Sequence, residues 1–558
     1  MKKFLLPILA VLALIIVAAL FFIKKDSSNP YSQTQWGKFS GSCASEDAPD
    51  ENFGKDIKGC DYSVPKEEIP VFTKASFPFS NDFDSDKSLP LMASAMIDVD
   101  NDGIDEVFVS GGRTEQDALF KYTNGEFAKS KYTIPNKPAN TTTYGAVSFD
   151  LDNDGKTDLL LAGDYGVLWY KNTGSSFEAS KINVPFNEKS TPVALSLGDI
   201  DKDGDADMFV SSYISKDKME GQTTFKDPTY GGSSLFMRNN GDNTFTDITE
   251  ELGLTYVHNT FMGILVDVDN DTFLDLVVAH DTGEVRTYKN NNGKKFEMKA
   301  NPTTGKYAYP MGIAVGDYNN DGNIDFFFSN TGSSVPTFLA RGDLEEEDVF
   351  IGEWLLFRND GDFKFTDVAE QAKVADFEFS WGAIFEDFNL DGKQDLVVAE
   401  NYVAFPPHKV FKLPGRFLIQ RENNTFAAVE DQAAVVNKNY GITPLSSDFN
   451  QDGYPDLFFA NIDGTMKAHL SKGGDANYIA FRFPENAKYA GAKLTVTTNS
   501  GTTLTDVYII GEGLASDNTS TLTFGLGNDK TIKSAVMTLA DGSTENIQNP
   551  KVNSVNKV

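Results

Sequence analysis

Asp150-Leu-Asp-Asn-Asp-Gly-Lys-Thr-Asp158 runs directly into Leu159-Leu-Leu-Ala162. Carboxylates stand at positions 1, 3, 5 and 9 of this stretch, and a glycine stands at position 6. Side-chain oxygens at that spacing, with the carbonyl of position 7, can wrap a hard divalent cation, which takes about six to eight oxygen donors. The glycine permits the sharp bend. No His or Cys lies in the stretch, which disfavours zinc. A carboxylate-rich, all-protein shell favours calcium over magnesium, which tends to keep its waters. The stretch is not an EF-hand loop, because Leu161 occupies the twelfth position and a strand-like run follows.

The pattern occurs seven times. The candidate ligands are Asp98, Asp100, Asp102 and Glu106; Asp150, Asp152, Asp154 and Asp158; Asp199, Asp201, Asp203 and Asp207; and Asp267, Asp269, Asp271 and Asp275. The last three copies carry asparagine at position 3: Asp317, Asn319, Asp321 and Asp325; Asp387, Asn389, Asp391 and Asp395; and Asp448, Asn450, Asp452 and Asp456. Up to seven calcium ions are expected. The first loop ends on the longer Glu106, and the fourth has Thr272 where glycine is expected, which predicts a strained bend.

Around each loop the same elements recur. A short small/apolar strand precedes it (Ala146-Val-Ser-Phe149), a buried strand follows, then a third strand (Val167-Leu-Trp-Tyr170), a turn and a fourth strand. Four strands per unit and seven units predict an all-β chain folded as a seven-bladed β-propeller with calcium loops. The last unit lacks a fourth strand, and residues 71–79 are expected to supply it, leaving no open sheet edge. Three units carry long insertions between their second and third strands, at 212–234, 330–352 and 399–413. In a blade those connections lie on the face opposite the acidic loops, and repeat insertions on one face often mark a binding face. The domain reading is an anchor at 1–25, a polar tether at 26–68, the propeller at 69–474 and a small separate β domain at 475–558.

Composition narrows the function. The chain has 558 residues and a formal net charge of −32, which argues against nucleic acid as partner. Its 40% hydrophobic and 12% aromatic content argues against disorder. Residues 4–23 form an uninterrupted apolar run between Lys2-Lys3 and Lys24-Lys25. That length spans about 30 Å, a bilayer core. No small-x-small cleavage site closes the run, so it reads as an N-terminal transmembrane helix, with a cleaved signal peptide and a secreted chain as the alternative. The bulk is then expected in the periplasm or the extracellular space. Cys43 and Cys60 are read as one disulfide, with two free thiols as the alternative.

The acidic loops, and the turns Phe236-Met-Arg-Asn-Asn-Gly-Asp-Asn-Thr-Phe-Thr-Asp247 and Leu356-Phe-Arg-Asn-Asp-Gly-Asp-Phe-Lys-Phe-Thr-Asp367, resemble FG-GAP, or VCBS, repeats. The tail is similar to the ASPIC and UnbV domain at Asn477-Tyr-Ile-Ala-Phe-Arg-Phe483, Gly491-Ala-Lys-Leu494, Gly511-x-Gly-x-x-Ser516, Phe524-Gly-Leu-Gly527 and Asp541-Gly542. It departs from that pattern at Leu539-Ala-Asp-Gly542. Together the two resemble the cartilage acidic protein-like group. The resemblance implies calcium-dependent adhesion or ligand binding and no reaction.

No nucleophile elbow, zinc-protease motif or phosphate loop occurs, and His258, His280, His408 and His469 are scattered along the sequence. The expectation is therefore a non-enzymatic, membrane-anchored adhesion or interaction module. Its partner would be a protein or glycan on the insertion face. A calcium-dependent, lyase-like carbohydrate-active enzyme and a scaffold subunit of a surface complex are the alternatives. Arg341-Gly-Asp343 reads as a chance tripeptide, and Trp354 and Trp381 as core.

Overall fold

A computed structural model describes residues 64–220, 224–332, 340–403 and 413–558. The anchor and both cysteines lie outside the described residues, as does His408. Among the described residues, no helix is long and apolar enough to cross a membrane.

The described strands between residues 72 and 471 form seven antiparallel four-stranded sheets, plus one two-stranded pairing. We number the sheets, or units, by their acidic loops. Unit 2 is typical: Thr143–Phe149, Asp158–Gly163, Gly166–Asn172 and Phe177–Ile182 succeed one another as a meander. Its first two strands are buried on both faces, in keeping with their largely apolar sequences. Its last is exposed along Glu178, Ala179, Ser180 and Lys181. First strands touch between units 1 and 2, 2 and 3, 3 and 4, 5 and 6, and 6 and 7, and Tyr440–Ser447 of unit 7 returns to Ser94–Ile97 of unit 1.

Unit 7 takes its outer strand from the other end of the chain. Phe72–Ala75 pairs antiparallel with Lys467–Ser471, Phe72 opposite Ser471 and Ala75 opposite Ala468. The expected closure by residues 71–79 is what the sheet shows. Phe72 is anchored by edge contacts to Phe388 and Phe417 of unit 6, at 6.0 and 5.6 Å.

The tail forms sheets of its own and packs against the repeats. Its two sheets are built on Asn477–Arg482 and Lys493–Thr498. They share one apolar cluster with units 2 and 3, in which Ile479, Phe481 and Leu494 join Phe149, Leu160 and Leu197. From this body the stretch 511–517 reaches among the first strands of the units. Ser516 pairs parallel with Ser94, and Gly513 exchanges backbone hydrogen bonds with Ile313. The Ser516 hydroxyl meets that of Thr443 at 3.1 Å, and Val315 N donates to Glu512 Oε1 at 3.0 Å. Gly511 and Gly513 have φ of 97° and 98°. A Cβ on Gly511 would stand 2.3 Å from the Leu195 carbonyl, which explains the glycine spacing of this motif. The tail is therefore docked on the rest of the chain, because its apolar surface and this probe have no other partners.

Candidate metal centres

Each acidic loop joins the first strand of a unit to the second. In all seven, the fourth and sixth residues lie in the left-handed region, with φ of 53–65° and 72–95°. Paired reversals turn successive N–H groups inward. The first aspartate accepts two of them: Asp150 Oδ1 takes Asp154 N at 3.0 Å and Oδ2 takes Gly155 N at 2.8 Å. The six other loops repeat this. Thr272 takes the glycine conformation at φ 72°, as the expectation of a strained bend requires. Its hydroxyl accepts from Lys202 Nζ of unit 3 at 2.7 Å, which offsets part of that cost.

Carboxylates converge where the sequence pairs them. Asp98, Asp100 and Glu106, and likewise Asp150, Asp152 and Asp158, each bring three ligand oxygens within 4.8 Å of one another. So do Asp199, Asp201 and Asp203, and Asp267, Asp269 and Asp271. Asp102, Asp154, Asp207 and Asp275 stand outside these tightest groupings. The last three loops differ. Asn319, Asn389 and Asn450 accept from the N–H of position 5 at 3.0, 3.1 and 3.0 Å. Their amide groups donate to Asp321 Oδ2, the Glu68 carbonyl and Asp452 Oδ2.

Four loops keep a buried oxygen with nothing to bond: Asp325 Oδ2, at position 9 of the fifth, is one, and the other three are alike. Asp152 Oδ1, Asp201 Oδ1 and Asp269 Oδ1, all at position 3, have no hydrogen-bond partner. A buried, unpartnered carboxylate oxygen is costly unless a cation meets it. Burial also lifts the ninth-position acids: Glu106 and Asp158 to about 7, and Asp207, Asp275 and Asp456 to about 8. Burial pushes Asp317 to about 7 and Asp448 to about 6, and Asp325, Asp387 and Asp395 well above the carboxylate range. The donor set and these orphaned oxygens fit a divalent cation.

Two kinds of residue at these loops escaped the sequence reading. The first is the cation opposite the ninth carboxylate. Lys121 Nζ lies 3.1 Å from Asp100, 2.8 Å from Asp102 and 3.4 Å from Glu106. Lys171 and Lys289 contact Asp152 and Asp269 in the same way. Their signal was a basic residue three or four places before each third-strand turn. The second is the asparagine that follows. Asn172 N donates to Asp158 Oδ1 at 2.7 Å, while its amide donates to the Val99 carbonyl of unit 1 at 2.9 Å. Asn290 and Asn359 reach Ile200 and Val268 of the preceding units, at 2.9 and 2.8 Å. These amides staple each loop to its neighbour.

The tail covers several loops. Asp150 N donates to the Glu485 carbonyl at 2.6 Å, and Gly525 N to Asp387 Oδ2 at 3.1 Å. Arg482 forms ion pairs with Asp105 and, at 3.4 Å, Asp98. The insertions lie at the other ends of the second strands. There, Asp343 of the Arg-Gly-Asp tripeptide accepts from Phe225 N at 2.7 Å and Lys226 N at 3.2 Å, so it ties two insertions together. Trp354 and Trp381 are buried, in keeping with a core role. The histidines are less scattered than the sequence implied. The His258 and His280 rings pack with centroids 4.4 Å apart, burial lowers both, and neighbouring positive groups add to that effect.

An all-β array of acidic-loop units with a docked tail defines the class. Within it, the FG-GAP-like repeat model matches residues 98–161, 150–210 and 267–328, and the ASPIC and UnbV model matches 484–558. The chain carries FG-GAP-like repeats and an ASPIC and UnbV domain over those residues. Cartilage acidic protein 1 of Xenopus tropicalis is 27% identical over 346 residues, 57% of this chain and 49% of that protein. The Homo sapiens protein of that name is 22% identical over 355 residues, 59% and 49% of the two chains. The chain thus spans about half the length of the curated relatives it matches. Among solved structures, an Agrocybe aegerita lectin that recognises non-reducing terminal N-acetylglucosamine aligns at TM-score 0.36 and 15% identity, over 67% of this chain and 86% of that one. BBS1N, in complex with ARL6DN, aligns at TM-score 0.42 and 11% identity, over 72% and 97%.

Proposed function

We propose that the protein is an exported, membrane-anchored, seven-bladed β-propeller that binds calcium in its acidic loops and serves as an adhesion or interaction module. The observation that carries this reading is the set of position-3 oxygens left buried and unpartnered in units 2, 3 and 4. Calcium would be held by residues 1, 3, 5 and 9 of each loop, with the three asparagine loops the weakest. Bound there, the ion neutralises carboxylates that otherwise hold protons, and it rigidifies the blades. Because the tail occupies the loop face, the partner engages the insertion face.

Chelation tests the calcium. At millimolar calcium each weak extracellular-type site contributes about 0.4–1.4 kcal/mol, so seven together contribute roughly 3–10 kcal/mol. EDTA should lower the melting temperature by many degrees, and an unchanged melting curve would refute structural calcium. Crosslinking pull-down with and without residues 335–350 tests the partner face, and equal recovery of every partner would count against it.

A further inference from the structure

A cavity of about 360 Å³ opens on the insertion face. Its floor comes from where the first strands of several units begin. Phe261 and Trp381 are the second residues of Thr260–Val266 and Ser380–Glu386, and Met311 and Leu91 just precede their strands. All four are nearly fully buried. Phe261 and Trp381 meet edge to face at 6.3 Å, and Tyr213 lies 5.3 Å from Phe261. Leu514 and Ala515, from the tail segment, belong to the same apolar cluster. The volume lies within the usual range of small-molecule sites.

Two carboxylates line this aromatic space, the exposed Glu220 and the half-buried Asp281. Asp281 follows strand Asp275–His280, and its backbone N–H donates to the Asn259 carbonyl at 2.9 Å. Its carboxylate accepts from the Tyr213 hydroxyl. Burial raises its pKa to about 6, against which only that hydroxyl and the Thr282 N–H act. Among the described residues, no Lys, Arg or His forms an ion pair with it. A half-buried lysine, Lys216, also lines the cavity. A half-buried carboxylate set among aromatic rings asks for a cation, because ring faces and the anion attract the same positive charge.

We propose that this cavity binds a small organic ammonium carried on an apolar or aromatic body, with Asp281 as its counter-ion and Phe261, Met311 and Trp381 as its bed. The ammonium could belong to a simple amine or to a free amino acid, whose carboxylate Lys216 would then receive. The site uses none of the acidic loops and stands independently of their calcium.

Isothermal titration of the full chain with phenethylamine, 2-phenylethanol and L-phenylalanine tests it. Phenethylamine should bind at least about tenfold tighter than the isosteric alcohol, and Asp281→Asn should erase that difference. The first comparison needs no variant, so it stands even if Asp281→Asn folds poorly. Binding of L-phenylalanine as tight as that of the amine, and weakened by Lys216→Met, identifies an amino-acid site. Weaker binding of L-phenylalanine identifies an amine site. No phenethylamine binding at about 10 mM, equal binding of amine and alcohol, or a preference that survives in a folded Asp281→Asn variant overturns the proposal.

Discussion

The loops of units 2 and 6 share a template and solve its charge problem differently. Unit 2 has Asp152 at position 3 and, across from its ninth residue, Lys171. Unit 6 has Asn389 at position 3 and Ile419 across from Asp395. One carboxylate and one cation are lost together, so the local charge stays the same. Unit 7 makes the same double change, with Asn450 and Leu470. The difference in cover is larger. Unit 6 lies beneath Gly525 and Gly527, whose N–H groups reach Asp387 and the Leu390 carbonyl. Its first and ninth acids are pushed well above the carboxylate range, by burial and by Asp391. In units 2, 6 and 7 the position-3 carboxylate and the opposing cation come and go together, whereas unit 5 keeps Arg358 opposite Asp325 despite Asn319.

Unit 6 also holds a buried ionic knot that unit 2 lacks. Where unit 2 places Leu168, unit 6 places Arg416, fully buried against Glu378, Glu400 and Glu430 at 2.8, 2.9 and 2.7 Å. The Phe377 ring lies 5.0 Å from the guanidinium. Burial raises the Glu400 and Glu430 carboxyls, with Arg416 opposing it. Arg416→Leu makes unit 6 resemble unit 2 at this position but strands three buried acids. It should cost about 3–5 kcal/mol in denaturant unfolding, and a neutral result would show that the acids are already protonated.

The next effect depends on pH. A carboxyl whose folded pKa is raised holds a proton that the unfolded chain releases, so its stabilising contribution is present at low pH and lost as pH rises. With Asp158 at about 7 and Asp207 and Asp456 at about 8, the calcium-free protein should lose melting temperature steadily from about pH 4 to about pH 8. Calcium binds the deprotonated loops, so with excess calcium the slope should flatten or reverse over the same window. Parallel slopes with and without calcium would separate these acids from the metal.

A smaller effect sharpens the role of the opposing cation. Lys171→Met should raise calcium affinity at unit 2 about tenfold, and Ile419→Lys should lower it at unit 6 by a similar factor, read by calcium titration. In EDTA, Lys171→Met should instead lower the melting temperature, since the ammonium is then the counter-charge that meets Asp152. The smallest effect is that of Thr272→Gly. Relief of the left-handed strain is worth about 1 kcal/mol, and loss of the Lys202 hydrogen bond costs about as much, so the net change should stay within about 0.5 kcal/mol.

The repeat architecture was legible because each loop and its flanking strands are local in sequence. Even the long-range pairing of Phe72–Ala75 followed from a missing strand that something had to supply. The docking of the tail was not legible, since Ile479 and Phe481 look the same whether they face their own sheet or units 2 and 3. Arg416 was invisible for a related reason: its three glutamates come from separate segments and each reads alone as a surface charge. The lysines opposite the loops were overlooked because their partners lie about 20 residues upstream, across a strand pairing whose register had to be known.

The strand that completes unit 7 also sets an order of events. Phe72 is made early, yet its partner Ser471 follows about 400 residues later. Loop-closure entropy grows only slowly with length, so the equilibrium cost of this pairing is modest. Its kinetic cost is not, because long-range β pairing is slow and leaves edges bare while it waits. Until residues 72–75 arrive, Lys467–Ser471 presents an unpaired row of backbone groups, the kind of edge on which chains aggregate. The first strand of the array to be made is the last to find its place.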